Sequence, residues 1–158
     1  MDIDPRQIDP RQQVLARVRD LSAVHSEMGR SFARDQQMHD TDALAVVSIV
    51  AAEKNGRPLT PARLAERISL TTGATSILLN RLEKAGHVIR TRESSDRRMV
   101  TLRATPGVRE AAAGYFEPLA ARMVAALGDY SPADLELIDT ALSRLHAVMR
   151  EYTEGERS

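Results

Sequence analysis

The chain contains no cysteine and no tryptophan, and aromatic residues make up only 3% of its 158 positions. Without cysteine there is no disulfide staple, no thiol nucleophile or redox sensor, and no cysteine-ligated zinc. With so few aromatics, the core has to come from Leu, Val, Ile, Ala and Met. Net charge is also missing, because 22 Lys and Arg stand against 22 Asp and Glu. No apolar run reaches the ~20 residues that span a bilayer, and no apolar segment opens the chain, so a soluble, cytoplasmic protein without a membrane partner is expected. What remains, 42% hydrophobic and 28% charged, is an ordinary globular composition.

Catalytic and metal-binding patterns are missing too. There is no Ser-His-Asp order, no phosphate-binding glycine loop and no nucleotide fingerprint, so neither an enzyme nor a cofactor is expected. The histidines, His25, His39, His87 and His146, are scattered without metal-ligand spacing, and no metal site is expected. His25 falls on an apolar stripe and reads best as a packed or interface residue.

The zero net charge conceals a segregation. Between Arg57 and Arg109 stand eleven basic and four acidic side chains, a local excess of +7 that the rest of the chain cancels. A basic middle between acidic ends suggests a local anionic partner.

The period of the apolar residues predicts mostly helix. After a flexible tail (residues 1–11) in which Asp-Pro-Arg-Gln occurs twice, Val14, Val18, Leu21, Met28 and Phe32 mark one face of a long helix from about Gln12. A second helix is expected over Asp42–Lys54, with Leu44, Val47 and Val50 inward and Asn55-Gly56 as its stop. Asp40 and Asp42 read as caps or dipole partners at its start. Thr60-Pro61, Thr105-Pro106 and Ser131-Pro132 each pair a capping oxygen with a proline at the first helical position. Asp134, three residues beyond Ser131, suggests a capping box. Stripes follow at Val108, Ala112, Tyr115, Leu119, Met123 and Ala126, and at Leu135, Ile138, Leu142, Leu145, Met149 and Tyr152.

From Leu59 to Gly86 two short helices joined at Ser69-Leu70 form a helix-turn-helix. The second buries Thr75, Leu78, Leu79 and Leu82 and should end at Gly86 in a left-handed turn. Its outer face carries Thr72, Gly73, Ser76, Ile77, Asn80 and Arg81. Between Val88 and Thr105 the period falls to two, which reads as a β-hairpin, with Glu-Ser-Ser-Asp between its strands. The fold class is therefore mainly α with a small β-hairpin wing: a winged helix-turn-helix joined to a helical dimerisation domain.

The run from Leu78 to Gly107 strongly resembles the multiple-antibiotic-resistance regulator (MarR) family. The resemblance rests on Arg81-Leu82-Glu83 with Gly86, on Asp96-Arg97-Arg98, on the strand Val100-Thr101-Leu102 and on the Thr-Pro-Gly that follows. It implies a homodimeric transcription regulator, a ligand-relieved repressor, bound to a pseudo-palindromic operator in double-stranded DNA. It implies a DNA-binding domain over 40–105, with a recognition helix at about 71–86 and a wing at about 88–104, and a dimerisation domain from 12–36 and 106–153. Thr72, Gly73, Ser76, Ile77 and Arg81 match the DNA-facing side of the recognition helix. Arg98 matches the arginine that enters the minor groove, Asp96 the acid that aims it, and Arg97 a phosphate contact. Position 77 is often polar or basic in relatives, and Ile there leaves a DNA-facing and a half-buried reading open. A small effector, phenolic or similar, is expected between the dimer helices and the winged unit, with His25, His39 and Tyr115 as candidate lining. Two alternatives stand beside this reading: a metal-responsive regulator using the histidines, and a helical adapter that does not bind DNA.

Overall fold

The computed structural model describes residues 9–92 and 99–155. The elements follow in the order α1 (Pro10–Asp35), α2 (Asp40–Lys54), α3 (Pro61–Arg67), α4 (Thr72–Lys84), β1 (Val88–Arg92), β2 (Val100–Ala104), α5 (Pro106–Ala126) and α6 (Pro132–Gly155). The chain forms two compact units, one ending at Phe116 and one beginning at Glu117. The fold is mainly helical with one antiparallel hairpin, as the periodicities predict.

Side-chain caps start most of the helices. α1 begins two residues earlier than expected because Asp9 accepts the Arg11 N–H at 2.9 Å and Pro10 takes the first helical position. Thr60 and Thr71 accept the N–H groups of Arg63 and Ala74 at 3.3 and 3.2 Å. Ser131 and Asp134 form the expected capping box. The Asp134 N–H donates to the Ser131 hydroxyl at 3.2 Å, and the Ser131 N–H donates to the Asp134 carboxylate at 3.1 Å. The Ser131 hydroxyl and N–H hold the Asp134 carboxyl below its ordinary range. Thr105 departs from the pattern. Its hydroxyl donates to the Gly86 carbonyl at 2.9 Å, which ties the end of α4 to the exit of the hairpin.

Helices α1 to α4 share one exit. In each, a residue with φ between +53° and +73° turns the chain: Gln37, Gly56, Ser69 and Gly86. The next N–H then reaches back to the helix's last turn, as in Arg57 N–H to Ala52 and His87 N–H to Leu82, both 2.9 Å. At Gly56 and Gly86 the left-handed backbone costs nothing. At Gln37 and Ser69 it is strained by a Cβ.

The core of the first unit gathers Phe32 from α1, Val46 and Ile49 from α2, Leu64 from α3, Leu79 and Leu82 from α4, Val88 and Leu102 from the hairpin, and Val108 and Ala112 from α5. Phe32, Tyr115 and Phe116 add an aromatic cluster with ring centroids 4.9 to 5.4 Å apart. α2 differs from expectation. It starts at Asp40, and Leu44, expected inside, is 51% exposed. Ala43, Ala45, Val46, Ser48, Ile49 and Ala52 are buried instead. A helix covered on most of its circumference shows no single stripe, so a one-face reading picks the wrong residues.

The hairpin is joined to this core by backbone and by charge. Val88 pairs with Ala104 and Arg92 with Val100, and the Leu102 N–H donates to the Leu59 carbonyl at 2.8 Å. Glu53, at the end of α2, accepts the Ala104 N–H at 3.0 Å and pairs with Arg103 and Arg109.

The apolar stripes toward the chain ends are largely uncovered. On α1, Phe32 is buried while Val14 and Leu21 are exposed. On α5, Val108 and Ala112 are buried but Met123 is not. On α6, Leu135, Ile138, Leu142, Met149 and Tyr152 are all between 37% and 67% exposed.

Candidate nucleic-acid interface

α4 buries Thr75, Leu78, Leu79 and Leu82, as expected. Thr75 is a buried polar residue whose hydroxyl is satisfied by the Thr71 carbonyl at 2.9 Å. The opposite face exposes Thr72, Gly73, Ser76, Ile77, Asn80 and Arg81. Ile77 is 67% exposed, so of its two readings the half-buried one is excluded. A groove bordered by Thr60 and Ala62 at the start of α3, Thr72 and Ser76 of α4, and Arg90 and Met99 of the wing runs along this face.

Two polar members of that face are already engaged. The Arg81 Nε donates to Asp42 Oδ2 at 2.8 Å, and its Nη2 donates to Asp42 Oδ1. Asp42 is buried at 4% exposure, in the first turn of α2, so the pair binds α4 to α2 and compensates an otherwise isolated carboxylate. The hydrogen bond to Asp42 raises the Arg81 pKa further. Asn80 Oδ1 accepts from Arg90 Nη2 at 3.2 Å, and Arg90 Nη1 pairs with Glu83 at 2.9 Å, which links α4 to β1. The expectation gave Arg81 to DNA and Asp42 to helix capping. Their pairing spans 39 positions and arises through the fold.

The basic segment is therefore partly neutralised from within. Arg81 pairs with Asp42, Arg90 with Glu83, Arg103 and Arg109 with Glu53, and Arg63 more loosely with Glu66 at 4.0 Å. Arg57, Arg67, Lys84 and Arg92 are exposed and have no ion pair among the described residues. Asp96, Arg97 and Arg98 lie outside the described residues.

A second feature concerns the expected effector residues. A cavity of about 260 Å³ is lined by His25 and Arg30 of α1, Asp40, Leu44 and Val47 of α2, and Phe116. His25 is thus at the cavity. His39 is not among its lining residues; it is exposed at the N-cap position of α2. Tyr115 is not among them either; it is half-buried against Phe32 and Phe116. Phe116 is the aromatic residue of the lining, one position from the one expected. Among the described residues no three metal-ligating side chains come together, and no helix is long and apolar enough to cross a membrane.

Comparison with known proteins agrees with this geometry. The MarR family profile matches residues 38–99, from the entry of α2 to the edge of β2. YcgE of Bacillus subtilis (strain 168), an uncharacterized HTH-type transcriptional regulator, is 31% identical over 97 residues, which cover 61% of this chain and 63% of that protein. The match thus spans less than two thirds of that relative's length. Among solved structures, the transcriptional regulator BldR from Sulfolobus solfataricus is 26% identical with a TM-score of 0.54, over 87% of this chain and 98% of that one. Streptococcus pneumoniae FabT in complex with DNA is 20% identical with a TM-score of 0.62, over 89% and 95%. The profile thus falls on the helix-turn-helix and the first strand of the hairpin, and the chain is similar over this segment to the MarR family.

Proposed function

We propose that this protein is a dimeric, sequence-specific DNA-binding transcription regulator of the cytoplasm, a repressor relieved by a small ligand, and not an enzyme. The observation that carries this reading is the exposed face of α4, small and polar at its capped N-terminal end, in a segment whose Lys84 and Arg92 have no ion pair among the described residues. A helix N-terminus lined by small residues suits close approach to phosphate and groove. FabT, of the same fold, is seen in complex with DNA.

In this reading residues 40–105 form the DNA-binding domain, and 12–36 with 106–153 the dimerisation domain. Thr72, Gly73, Ser76 and Ile77 enter the major groove. Arg81 acts as a positioning residue that sets α4 against α2. Arg98, aimed by Asp96, enters the minor groove, and Arg97 meets phosphate. The exposed stripes of α1, α5 and α6 are covered by a second copy of the chain, the economical way to bury so much apolar surface. The cavity at His25 takes the effector, with Phe116 offering a ring face and His25 and Arg30 polar contacts to a phenolic or similar ligand. A ligand there relieves repression if it favours a spacing of the two recognition helices that mismatches one DNA turn, ~34 Å.

The test is the binding of purified protein to the DNA beside its own gene at several salt concentrations. Arg98→Ala is expected to weaken binding and to make the slope of log K against log salt shallower by about one unit. An unchanged affinity and slope would remove the wing assignment.

A further inference from the structure

We infer that Ile77 selects the operator by packing on the C5 methyl group of a thymine in the major groove. The inference rests on the DNA-binding reading above and adds the chemistry of the base that is read. Base recognition from a helix commonly uses long side chains that hydrogen-bond a base edge at two points: Arg to guanine, Asn or Gln to adenine. α4 has one Arg and one Asn on its outer face, and both are committed. Arg81 is held at two points by Asp42, and Asn80 accepts from Arg90. The rest of that face toward the N-terminus consists of Thr72, Gly73, Ser76 and Ile77. Their hydroxyls are short and tolerate several bases. Ile77, 67% exposed, is the side chain there with the most area to bury.

The partner of an exposed apolar side chain depends on its surroundings. Arg92 and Lys84, without ion pairs among the described residues, belong to a segment with an excess of +7. A wholly apolar protein surface would leave those cations desolvated and unpaired. Duplex DNA supplies both halves of the complement, a polyanionic backbone and, in the major groove, one apolar group, the thymine methyl. The operator should therefore depend on a thymine at the position that faces Ile77, more than on any guanine.

The experiment starts from duplexes enriched from a random library by the purified full chain. Each thymine of the enriched site is replaced singly by deoxyuridine, which lacks only the methyl group. One position is expected to lose affinity by about fourfold, the factor that accompanies one buried carbon group. Ile77→Ala, a surface change that leaves thermal unfolding in place, is expected to bind more weakly and no longer to distinguish thymine from uracil there. Ile77→Val should keep part of the discrimination. The inference is overturned if no thymine is sensitive, or if Ile77→Ala keeps the same sensitivity. It is also overturned if Ile77→Ala changes the mass of the particle in solution but not its DNA affinity, which would give the side chain to a protein interface. If the library yields no enriched duplex at all, the DNA-binding reading falls first and this inference with it.

Discussion

α2 and α6 are both regular helices rich in Leu, Val, Ile and Ala, yet they end in opposite environments. α2 finds cover within its own chain: Ala45, Val46 and Ile49 are fully buried, and even its buried acid, Asp42, is met by Arg81. α6 keeps Leu135, Ile138, Leu142, Met149 and Tyr152 in the open. The stripe on α6 has the clean three-and-four spacing of a helix that packs, while α2 shows no such stripe. Amphipathic patterning thus reports how many sides of a helix are covered, and it does not say which molecule covers them.

That contrast can be broken first at its centre. Ile49→Ala is expected to cost about 2–5 kcal/mol at any protein concentration, measured by denaturant unfolding, because the cavity it opens is inside the chain. Leu142→Asp is expected to behave differently. If a second copy covers α6, its effect on the melting temperature should vary with protein concentration, and sedimentation should show a lighter particle. A concentration-independent change with unaltered mass would mean that α6 is simply an exposed helix.

The charged side of α2 gives the next effect. Arg81→Ala leaves the Asp42 carboxylate buried without its partner and should cost about 3 kcal/mol. Asp42→Ala leaves an arginine that is 44% exposed and can turn to water, so its cost should be smaller. Equal costs in chemical denaturation would show that burial of Asp42 does not govern the pair. The smallest change is local: Ser69→Gly, at φ +57°, should raise stability by about 0.5–1 kcal/mol by relieving a left-handed backbone, less the chain entropy glycine adds. A loss of stability there would show that the serine side chain matters more than its backbone.

The sequence announced the winged unit well because its signals are local. Thr60-Pro61, Gly56 and Gly86 each act within a few residues of their own position, and the helix and strand limits came close to expectation. Ser131 with Asp134 was legible for the same reason, whereas Thr105 was not, since its hydroxyl serves the distant Gly86 carbonyl. Leu44 was misplaced because periodicity averages over a helix buried on most sides. The state of the α4 face was the least legible feature. Nothing near Arg81 or Asn80 shows that the partners are Asp42 and Arg90, and both pairings exist through the fold alone. Of the effector candidates, His25 lines the cavity, while Tyr115 and Phe116 differ by one helical position, about 100° around α5.

The tethering of Arg81 and Asn80 has a consequence for the cost of association. Long side chains are the ones that lose most rotational freedom when a partner fixes them. On α4 the Arg and the Asn are already fixed, and an Ile in a helix occupies essentially one χ1 rotamer. Whatever meets this face meets a surface whose ordering took place when the chain folded, so little conformational entropy is left to lose on contact. Removing either tether should therefore make binding entropically less favourable, even where every contact with the partner is kept.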